Sequence, residues 1–200
     1  MQKMMQPEFI LYQNLNSHFT YFLVLAASLA GPLFLSFDKK VAFYKNWKYL
    51  FPAMFFPAVL YIAWDVYFTS KGVWSFNENY VTGIHIINLP LEEVLFFLIV
   101  PYCCVFIYAC IKAYFPRLKE KKQADVIMMI LAAALLITGA ICYEKYYTGW
   151  TFIFTGAFIF IIYFFRKYFK GFDAVSFLVS YAICRIPFLI VNGFLTAIPV

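Results

Sequence analysis

Long uninterrupted runs of apolar side chains constrain this chain more than any other feature. About 20 consecutive apolar residues in an α-helix cross a hydrocarbon core roughly 30 Å thick. Windows of about 19 residues identify six such runs. The predicted spans are Phe19–Phe37, Tyr49–Phe68, Leu89–Ile111, Val126–Tyr143, Trp150–Phe165 and Ala174–Ile198. The sequence therefore predicts an all-α integral membrane protein with six transmembrane helices.

Composition agrees with a membrane protein and excludes an ordinary soluble domain. Hydrophobic residues make up 64% of the chain and charged residues 13%, whereas soluble domains have about 45–50% and about 25%. The net charge of +6 comes from basic residues in the short breaks between apolar runs. Such placement favours membrane lipid as the partner, and it disfavours nucleic acid, which needs a basic, water-facing surface.

The basic residues also predict the orientation of the spans, because Lys and Arg are retained on the cytoplasmic side. Twelve of the 16 lie in alternate breaks, three lie in the other breaks or near the amino terminus, and one lies within the last span. The twelve are Lys39, Lys40, Lys45, Lys48, Lys112, Arg117, Lys119, Lys121, Lys122, Arg166, Lys167 and Lys170. We therefore expect a multi-pass protein of the cell membrane with its amino terminus outside.

The sequence offers no binding motif for a metal or a nucleotide cofactor. All five cysteines fall inside predicted spans, without the spacing of a metal site, so we interpret them as small buried apolar residues. A glycine-rich dinucleotide motif and a Walker loop are both absent from the sequence. No Lys lies within a span, which disfavours a retinal Schiff base.

The order of spans and turns indicates two tandem units. Spans one and two enclose a basic turn, as do spans five and six, and span four connects the two units. Internal repeats are common in membrane proteins. We predict a first three-helix unit over residues 1–125, and a linking span with an incomplete second unit over residues 126–200. A seventh helix is expected where the sequence ends, so we expect the sequence to be truncated.

Four ionisable side chains lie inside predicted spans, where each costs about 2.5–3.5 kcal/mol on insertion scales. They are Asp65, Glu92, Glu93 and Arg185. Asp65 lies three residues inside the outer end of span two, and the two glutamates lie three and four residues inside the outer start of span three. At about 1.5 Å per residue, all three carboxyl groups lie within roughly 5–6 Å of the same interface. We therefore expect them to share one depth, which allows them to share one pocket.

Each of these residues also has a purely structural interpretation. Pro90 suits the first turn of a helix, and Glu92 and Glu93 there complement the helix dipole. Asp65 can be an interfacial residue facing water, and His85 in the outer loop is typical of a surface imidazole.

Arg185, near the midplane, also has two interpretations. In the structural one, its side chain extends toward the interface or binds a backbone carbonyl. In the functional one, it pairs with a carboxylate and holds it ionised.

Two stretches resemble a known family. The segment GVWSFNENYVTGIHIINLPLEEVLFF, from Gly72 to Phe97, is similar to the signature of the integral-membrane lycopene cyclases of bacterial, archaeal and fungal type. RIPFLIVNG, from Arg185 to Gly193, resembles the second unit of their fused form. The second unit of that family has its own Pro-x-Glu-Asp helix, and this sequence ends before it.

The resemblance implies cyclisation of the ends of a linear C40 polyene to β-ionone rings, with lycopene or a monocyclic carotene as substrate. An acid protonates the terminal alkene, a neighbouring double bond attacks the cation, and a base removes a proton. No electrons are gained or lost, so no redox cofactor is required. We expect Glu92 or Glu93 to be the acid, and the other glutamate or Asp65 to be the base or to stabilise the cation.

Aromatic faces stabilise a carbocation without trapping it, and an upright polyene about as long as the bilayer is thick brings one end to the carboxyl groups. Each aromatic residue could instead be a bulky side chain that simply faces lipid or the protein core. Arg185 is added to these candidates as the partner of a carboxylate. The candidates that would contact substrate or stabilise the cation are Trp64, Trp74, Phe96, Phe97 and Arg185.

Two other functions remain open at this point. A transporter or a proton or cation path could use the same intramembrane carboxylates, but it would distribute acids through the depth of the membrane. A metal-dependent enzyme acting on carotenoids or retinal would need several histidines, and the sequence has only His18 and His85.

Overall fold

The computed structural model describes residues 18–118, 122–168 and 171–197. In these ranges the chain forms six α-helices and one short β-hairpin, together with two 3-10 turns at Phe43–Asn46 and Arg166–Tyr168. The helices are α1 (Thr20–Leu35), α2 (Trp47–Ser70), α3 (Leu91–Tyr114), α4 (Lys122–Ile141), α5 (Tyr146–Phe164) and α6 (Ala174–Ala197). The hairpin pairs β1 (His85–Ile86) with β2 (Leu89–Pro90) in antiparallel register.

The predicted all-α membrane fold is confirmed. Helices α2 to α6 are long and apolar enough to cross a membrane, and the protein is a multi-pass membrane protein. Helix α1 is apolar but has only 16 residues, so it is shorter than the predicted span from Phe19 to Phe37. It ends early because the chain turns at Ser36, and hydropathy alone does not detect that turn.

The first compact unit is built around α1, α2 and α3, which run alternately up and down. At one end, the Tyr21 hydroxyl near the start of α1 bonds Glu93 near the start of α3. At the other end, Ser36 bonds the Tyr102 hydroxyl at 2.5 Å. A buried cluster of Phe43, Met54, Tyr102 and Phe106 packs the latter end, next to the basic turn.

Asp38 organises the turn between α1 and α2. Its Oδ2 accepts hydrogen bonds from the backbone N–H groups of Lys40 and Val41, each at 3.1 Å, and from the Tyr114 hydroxyl at 3.0 Å. The hydrogen bond from Tyr114, followed by those from the backbone, lowers the pKa of the Asp38 carboxyl below its ordinary value. The carboxylate therefore fastens the basic turn to the end of α3.

The second compact unit, Phe115–Ser180, contains α4, α5 and the start of α6. Glycines allow α4 and α5 to pack closely, as small residues commonly do in membrane helices. A Cβ added at Gly156 would lie 2.8 Å from Leu136 Cγ and 2.9 Å from the Ala132 carbonyl oxygen, and one at Gly139 would meet Ile153 at 2.7 Å. The close helix pair is thus specified by residues that lack a side chain.

A charged contact fastens the ends of α4 and α5. Arg166 Nη1 lies 2.6 Å from Asp125 Oδ2, and the Tyr163 hydroxyl donates to Asp125 Oδ1 at 3.0 Å.

The first unit comprises Met1–Tyr114 and Tyr181–Val200, so α6 begins in one compact unit and ends in the other. The tandem units predicted over residues 1–125 and 126–200 are defined by a repeated order of spans and turns, whereas the compact units are defined by contacts. The two divisions are therefore not comparable, and the tandem units stay a prediction.

Candidate active site

Asp65 lies near the end of α2, and only one of its two carboxyl oxygens has a hydrogen-bond partner among the described residues. The residue is 4% exposed, and the Trp74 side chain donates a hydrogen bond to it. Its Oδ2 is buried and has no hydrogen-bond partner among the described residues. The loop after α2 therefore fixes the carboxyl group while leaving one oxygen open for another interaction.

The hairpin positions the two glutamates at the start of α3. The Leu91 N–H donates to the Ile84 carbonyl at 2.8 Å, and the Thr82 N–H donates to Glu92 Oε1 at 2.8 Å. Glu92 has no exposed surface, and its Oε2 has no partner within the described part of the chain. Its contact with Thr82 ties the loop to the first turn of α3.

Glu93 faces a tyrosine from the first helix. The Tyr21 hydroxyl, on a side chain that is 4% exposed, donates to Glu93 Oε2 at 2.7 Å. Tyr21 also interacts electrostatically with Asp65 and Glu92, and Glu93 interacts with Asp65. The structure thus brings together all three carboxyl groups that the sequence predicts at one depth. We call Tyr21, Asp65, Glu92 and Glu93 the carboxyl cluster.

Within the described part of the chain, no cation compensates the carboxyl cluster. Among residues 18–118, 122–168 and 171–197, neither Lys nor Arg forms an ion pair with any of its three carboxyl groups. Burying several unpaired negative charges together is strongly unfavourable, and interacting carboxyl groups share protons rather than all ionise. The cluster is therefore suited to hold at least one proton and to move it.

An aromatic stack lies beside Asp65. The rings of Trp64 and Phe68 stack at 5.1 Å between centroids, and those of Phe68 and Trp74 stack at 5.2 Å. Trp64 precedes Asp65 in α2, and Trp74 bonds it. Two of the predicted cation-stabilising residues therefore share one stack next to a carboxyl group, and the intervening Phe68 was not among the sequence candidates.

The remaining two aromatic candidates occupy different surroundings. Phe96 packs against the buried cluster of Tyr21, Leu25 and Val81. Phe97 stacks on Tyr61 at 6.1 Å between centroids, and Tyr61 is exposed. Phe96 is thus the candidate that packs against the buried cluster to which Tyr21 belongs.

The expected ion pair of Arg185 is absent from the described part of the chain. The side chain is exposed, and its guanidinium lies over the rings of Tyr181 and Phe188, at 5.6 and 5.7 Å. Neighbouring rings of the same helix offer the long arm a nearby cation–π contact. Within the described residues Arg185 therefore contacts aromatic rings, and its pairing with a carboxylate stays a prediction.

The other candidate ligands do not join the cluster. His85 is partly exposed and its Nε2 lies 3.3 Å from Glu78 Oε1, in keeping with a surface imidazole. Within the described ranges, no three His, Cys, Asp or Glu side chains are arranged to hold a metal ion.

Tyr21 is the member of the carboxyl cluster that the sequence did not predict. It lies at the depth of the carboxyl groups, on an otherwise apolar helix, and this is the signal that could have identified it. The sequence contains 16 tyrosines, however, and only the fold shows which hydroxyl meets a carboxyl group.

Comparison with known proteins identifies the family. A family model described as lycopene cyclase matches residues 18–111 and 144–200, which together make up most of the chain. The chain belongs to the lycopene cyclase family. The first matched segment contains the whole carboxyl cluster, so the resemblance seen in the PLEE segment is confirmed. No solved structure matches the chain well enough to count as a relative.

The similar curated proteins are larger. The chain is 24% identical over 141 residues to a bifunctional lycopene cyclase/phytoene synthase of Aspergillus niger, covering 66% of this chain and 23% of the relative. It is 24% identical over 121 residues to the protein of that name in Aspergillus oryzae, covering 56% and 20%. A third, from Pyrenophora tritici-repentis, is 38% identical over 47 residues, covering 24% and 8%. The chain thus spans about a quarter or less of these relatives.

Proposed function

We propose that this protein cyclises the linear ends of lycopene, or of a monocyclic carotene, to β-ionone rings within the membrane. The observation that carries the proposal is the carboxyl cluster, in which three carboxyl groups meet at one end of a membrane helix bundle and none is ion-paired with a Lys or Arg of the described residues. Family membership supports the same reaction. The substrate is a lipid-soluble polyene, which reaches such a site from the bilayer.

Glu93 is the proton donor in this proposal. Tyr21 holds Glu93 Oε2, so Oε1 is the oxygen that delivers the proton to the terminal double bond of the polyene. Protonation produces a tertiary cation, and the next double bond of the polyene end attacks it through the carbon five bonds away, which closes a six-membered ring. A general acid must lie within reach of the atom it protonates, and the partly exposed Glu93 is the more accessible of the two glutamates.

Asp65 is the proton acceptor. Its buried Oδ2 lacks a partner in the described part of the chain, and it interacts electrostatically with Glu93. After ring closure, it removes a proton next to the cationic carbon, which leaves the ring double bond. The proton then returns from Asp65 to Glu93 Oε1, and the two carboxyl groups interact electrostatically. The stacked rings of Trp64, Phe68 and Trp74 stabilise the cation beside Asp65.

The reaction is an isomerisation, since every proton donated is recovered and no electrons are exchanged. The proposed enzyme is therefore an intramolecular lyase, and its chemistry requires no redox cofactor. We place it in the cell membrane with the amino terminus outside, since the basic turns mark the cytoplasmic side. The two tandem units, 1–125 and 126–200, belong to the same proposal.

A proton or cation path through the membrane is less well supported. Such a path would distribute acidic side chains through the depth of the bilayer. The carboxyl groups of α2 and α3 instead meet at one end of the bundle. Asp125, in the first turn of α4, is paired with Arg166 at 2.6 Å.

Expression in a lycopene-accumulating bacterium tests the proposal. The protein should convert lycopene to a cyclic carotene, and Glu93→Gln should insert normally yet lose about 100-fold or more of the conversion, because an amide cannot donate the proton. Glu92→Gln is the matched control, since its amide oxygen still accepts the Thr82 N–H. We expect that variant to keep most of the activity at equal protein level.

The comparison between the two adjacent glutamates decides the assignment. Full conversion by Glu93→Gln would remove Glu93 from the chemistry. Loss of activity in Glu92→Gln alone would transfer the donor role to Glu92. No cyclic carotene from the unsubstituted protein, inserted and intact, would count against the proposed activity of this chain.

A further inference from the structure

The hairpin before α3 exposes three isoleucines together. Ile84 is 56% exposed, Ile86 42% and Ile87 80%. Ile84 lies one residue before β1 and its carbonyl accepts the Leu91 N–H, so Ile84 and Ile86, two residues apart, point to the same side of the hairpin, and Ile87 follows in the turn. We call Ile84, Ile86 and Ile87 the isoleucine face.

The other side of the hairpin is polar. His85, between Ile84 and Ile86, points away from them, and its Nε2 lies 3.3 Å from Glu78 Oε1. Its Nδ1 lies 3.1 Å from the Gly83 carbonyl oxygen. The exposed part of β1 thus combines an ionisable pair at His85 with exposed apolar side chains on either side of it in the chain, whereas the paired residues of β2 are buried.

Ile87, in the turn of the hairpin, has an unfavourable backbone conformation. This residue has φ 63°, in the left-handed region, which is unfavourable for a β-branched side chain and natural for Gly or Asn. Because the Ile87 side chain is 80% exposed, packing within the described chain contributes little to offset that strain. Contact with an apolar surface outside the chain would offset it.

The hairpin is held rigidly at the end of the helix bundle. Leu89 and Pro90 of β2 are buried, and Asn88 Nδ2 donates to the Val66 carbonyl at 3.0 Å. Leu91, which begins α3, bonds back to Ile84. The isoleucine face is thus fixed at the boundary where α2 ends and α3 begins, and these are two helices apolar enough to span a membrane.

We propose that the isoleucine face inserts into the acyl-chain region of the bilayer beside the carboxyl cluster. Its partner is phospholipid hydrocarbon, because the helices on which it is mounted are themselves surrounded by lipid. The His85–Glu78 side of the hairpin then faces the headgroups and water, which matches the usual arrangement of an amphipathic interfacial element. The inference does not depend on the proposed reaction.

Tryptophan substitution in vesicles tests this placement. Ile84→Trp reports on the isoleucine face, and His85→Trp is the matched control one residue away on the opposite side. Protein from a host without carotenoids is reconstituted in phosphatidylcholine vesicles, with and without bromine-labelled acyl chains, and the emission of the native protein is subtracted. We expect brominated lipid to remove most of the added Ile84→Trp emission, and aqueous acrylamide to remove most of the added His85→Trp emission.

The alternatives give different results. Quenching of the Ile84→Trp signal by acrylamide alone would place the face in water, and quenching by neither agent would show that protein covers it. Either result would overturn the proposal. Ile86→Trp, on the same side at a paired strand position, repeats the measurement if Ile84→Trp is not monodisperse.

Discussion

At the scale of single residues, the contact between Tyr21 and Glu93 distinguishes this carboxyl cluster from a row of helix-start acids. Acids in a first turn need only the helix dipole, which is worth about 0.3–1 kcal/mol. A buried tyrosine that donates to one of them at 2.7 Å fixes the carboxyl group in one orientation. Orientation of a proton donor is what a catalytic acid requires and a dipole partner does not.

Tyr21→Phe tests that role. It should cost about 1–2 kcal/mol of stability, as expected for one buried hydrogen bond, and should lower cyclisation by roughly 10- to 100-fold, because the donor loses its orientation. The position of the ring double bond should not change, because Asp65 still removes the proton after ring closure. Pigment analysis at matched protein level measures the conversion and the position of the double bond.

Tyr49→Phe is the control for the loss of a hydroxyl. Tyr49 is 68% exposed and lies near the start of α2, at the opposite end from Asp65. It should leave the rate and the products unchanged. If Tyr21→Phe behaves like Tyr49→Phe, the tyrosine has only a structural role.

The sequence predicted part of this site for physical reasons. Charges inside apolar runs are costly, so Asp65, Glu92 and Glu93 are conspicuous in the sequence. Tyr21 and Phe68 are not, since tyrosine and phenylalanine are abundant here. The ring contacts of Arg185 were not predicted, because a long side chain reaches aromatic rings on its own helix and its position in the span does not reveal them.

At the scale of elements, hydropathy located the helices but not their ends. Helix α1 stops at Leu35, where Asp38 begins to cap the turn. Helix α4 begins at Lys122, four residues before its predicted start, because polar residues continue the helix beyond the apolar run. A hydropathy window detects the apolar segment that crosses the hydrocarbon core. Where the helix begins and ends depends instead on capping and turn residues.

The close packing of α4 and α5 makes a prediction at this scale. Gly156→Leu should destabilise the protein by about 1–3 kcal/mol, because a side chain there meets Leu136 and the Ala132 carbonyl. Gly31→Leu makes the same change in α1, where an added Cβ has no atom within 4 Å. We expect that control to leave stability unchanged or to raise it by up to about 1 kcal/mol.

Thermal unfolding in detergent measures both variants. A lower midpoint for Gly156→Leu, with Gly31→Leu at or above the unsubstituted protein, agrees with the packing argument. Equal midpoints for the two variants would mean that α4 and α5 separate easily, and that the glycines do not specify their contact.

At the scale of the whole molecule, the distribution of charge predicts how the fold is inserted. Twelve basic residues lie in alternate breaks and three lie on the other side, which is a strong asymmetry under the positive-inside rule. The two ends of α2 lie next to different kinds of break. Its start lies in the basic turn with Lys45 and Lys48, and its end leads to the loop with Trp74 and to the carboxyl cluster. The orientation therefore decides from which leaflet the cluster is reached.

Cysteine accessibility at the ends of α2 tests the orientation. Asn46→Cys and Ser75→Cys replace exposed, uncharged residues that flank a helix of 24 residues, about 36 Å long. In intact cells, a membrane-impermeant maleimide should label Ser75→Cys and leave Asn46→Cys unlabelled, since the basic turn stays inside. After the membranes are opened, both should react, and the unsubstituted protein corrects for the five native cysteines. The reverse pattern would place the carboxyl cluster near the cytoplasmic leaflet, and labelling of both sites in intact cells would contradict the single orientation that the charge asymmetry requires.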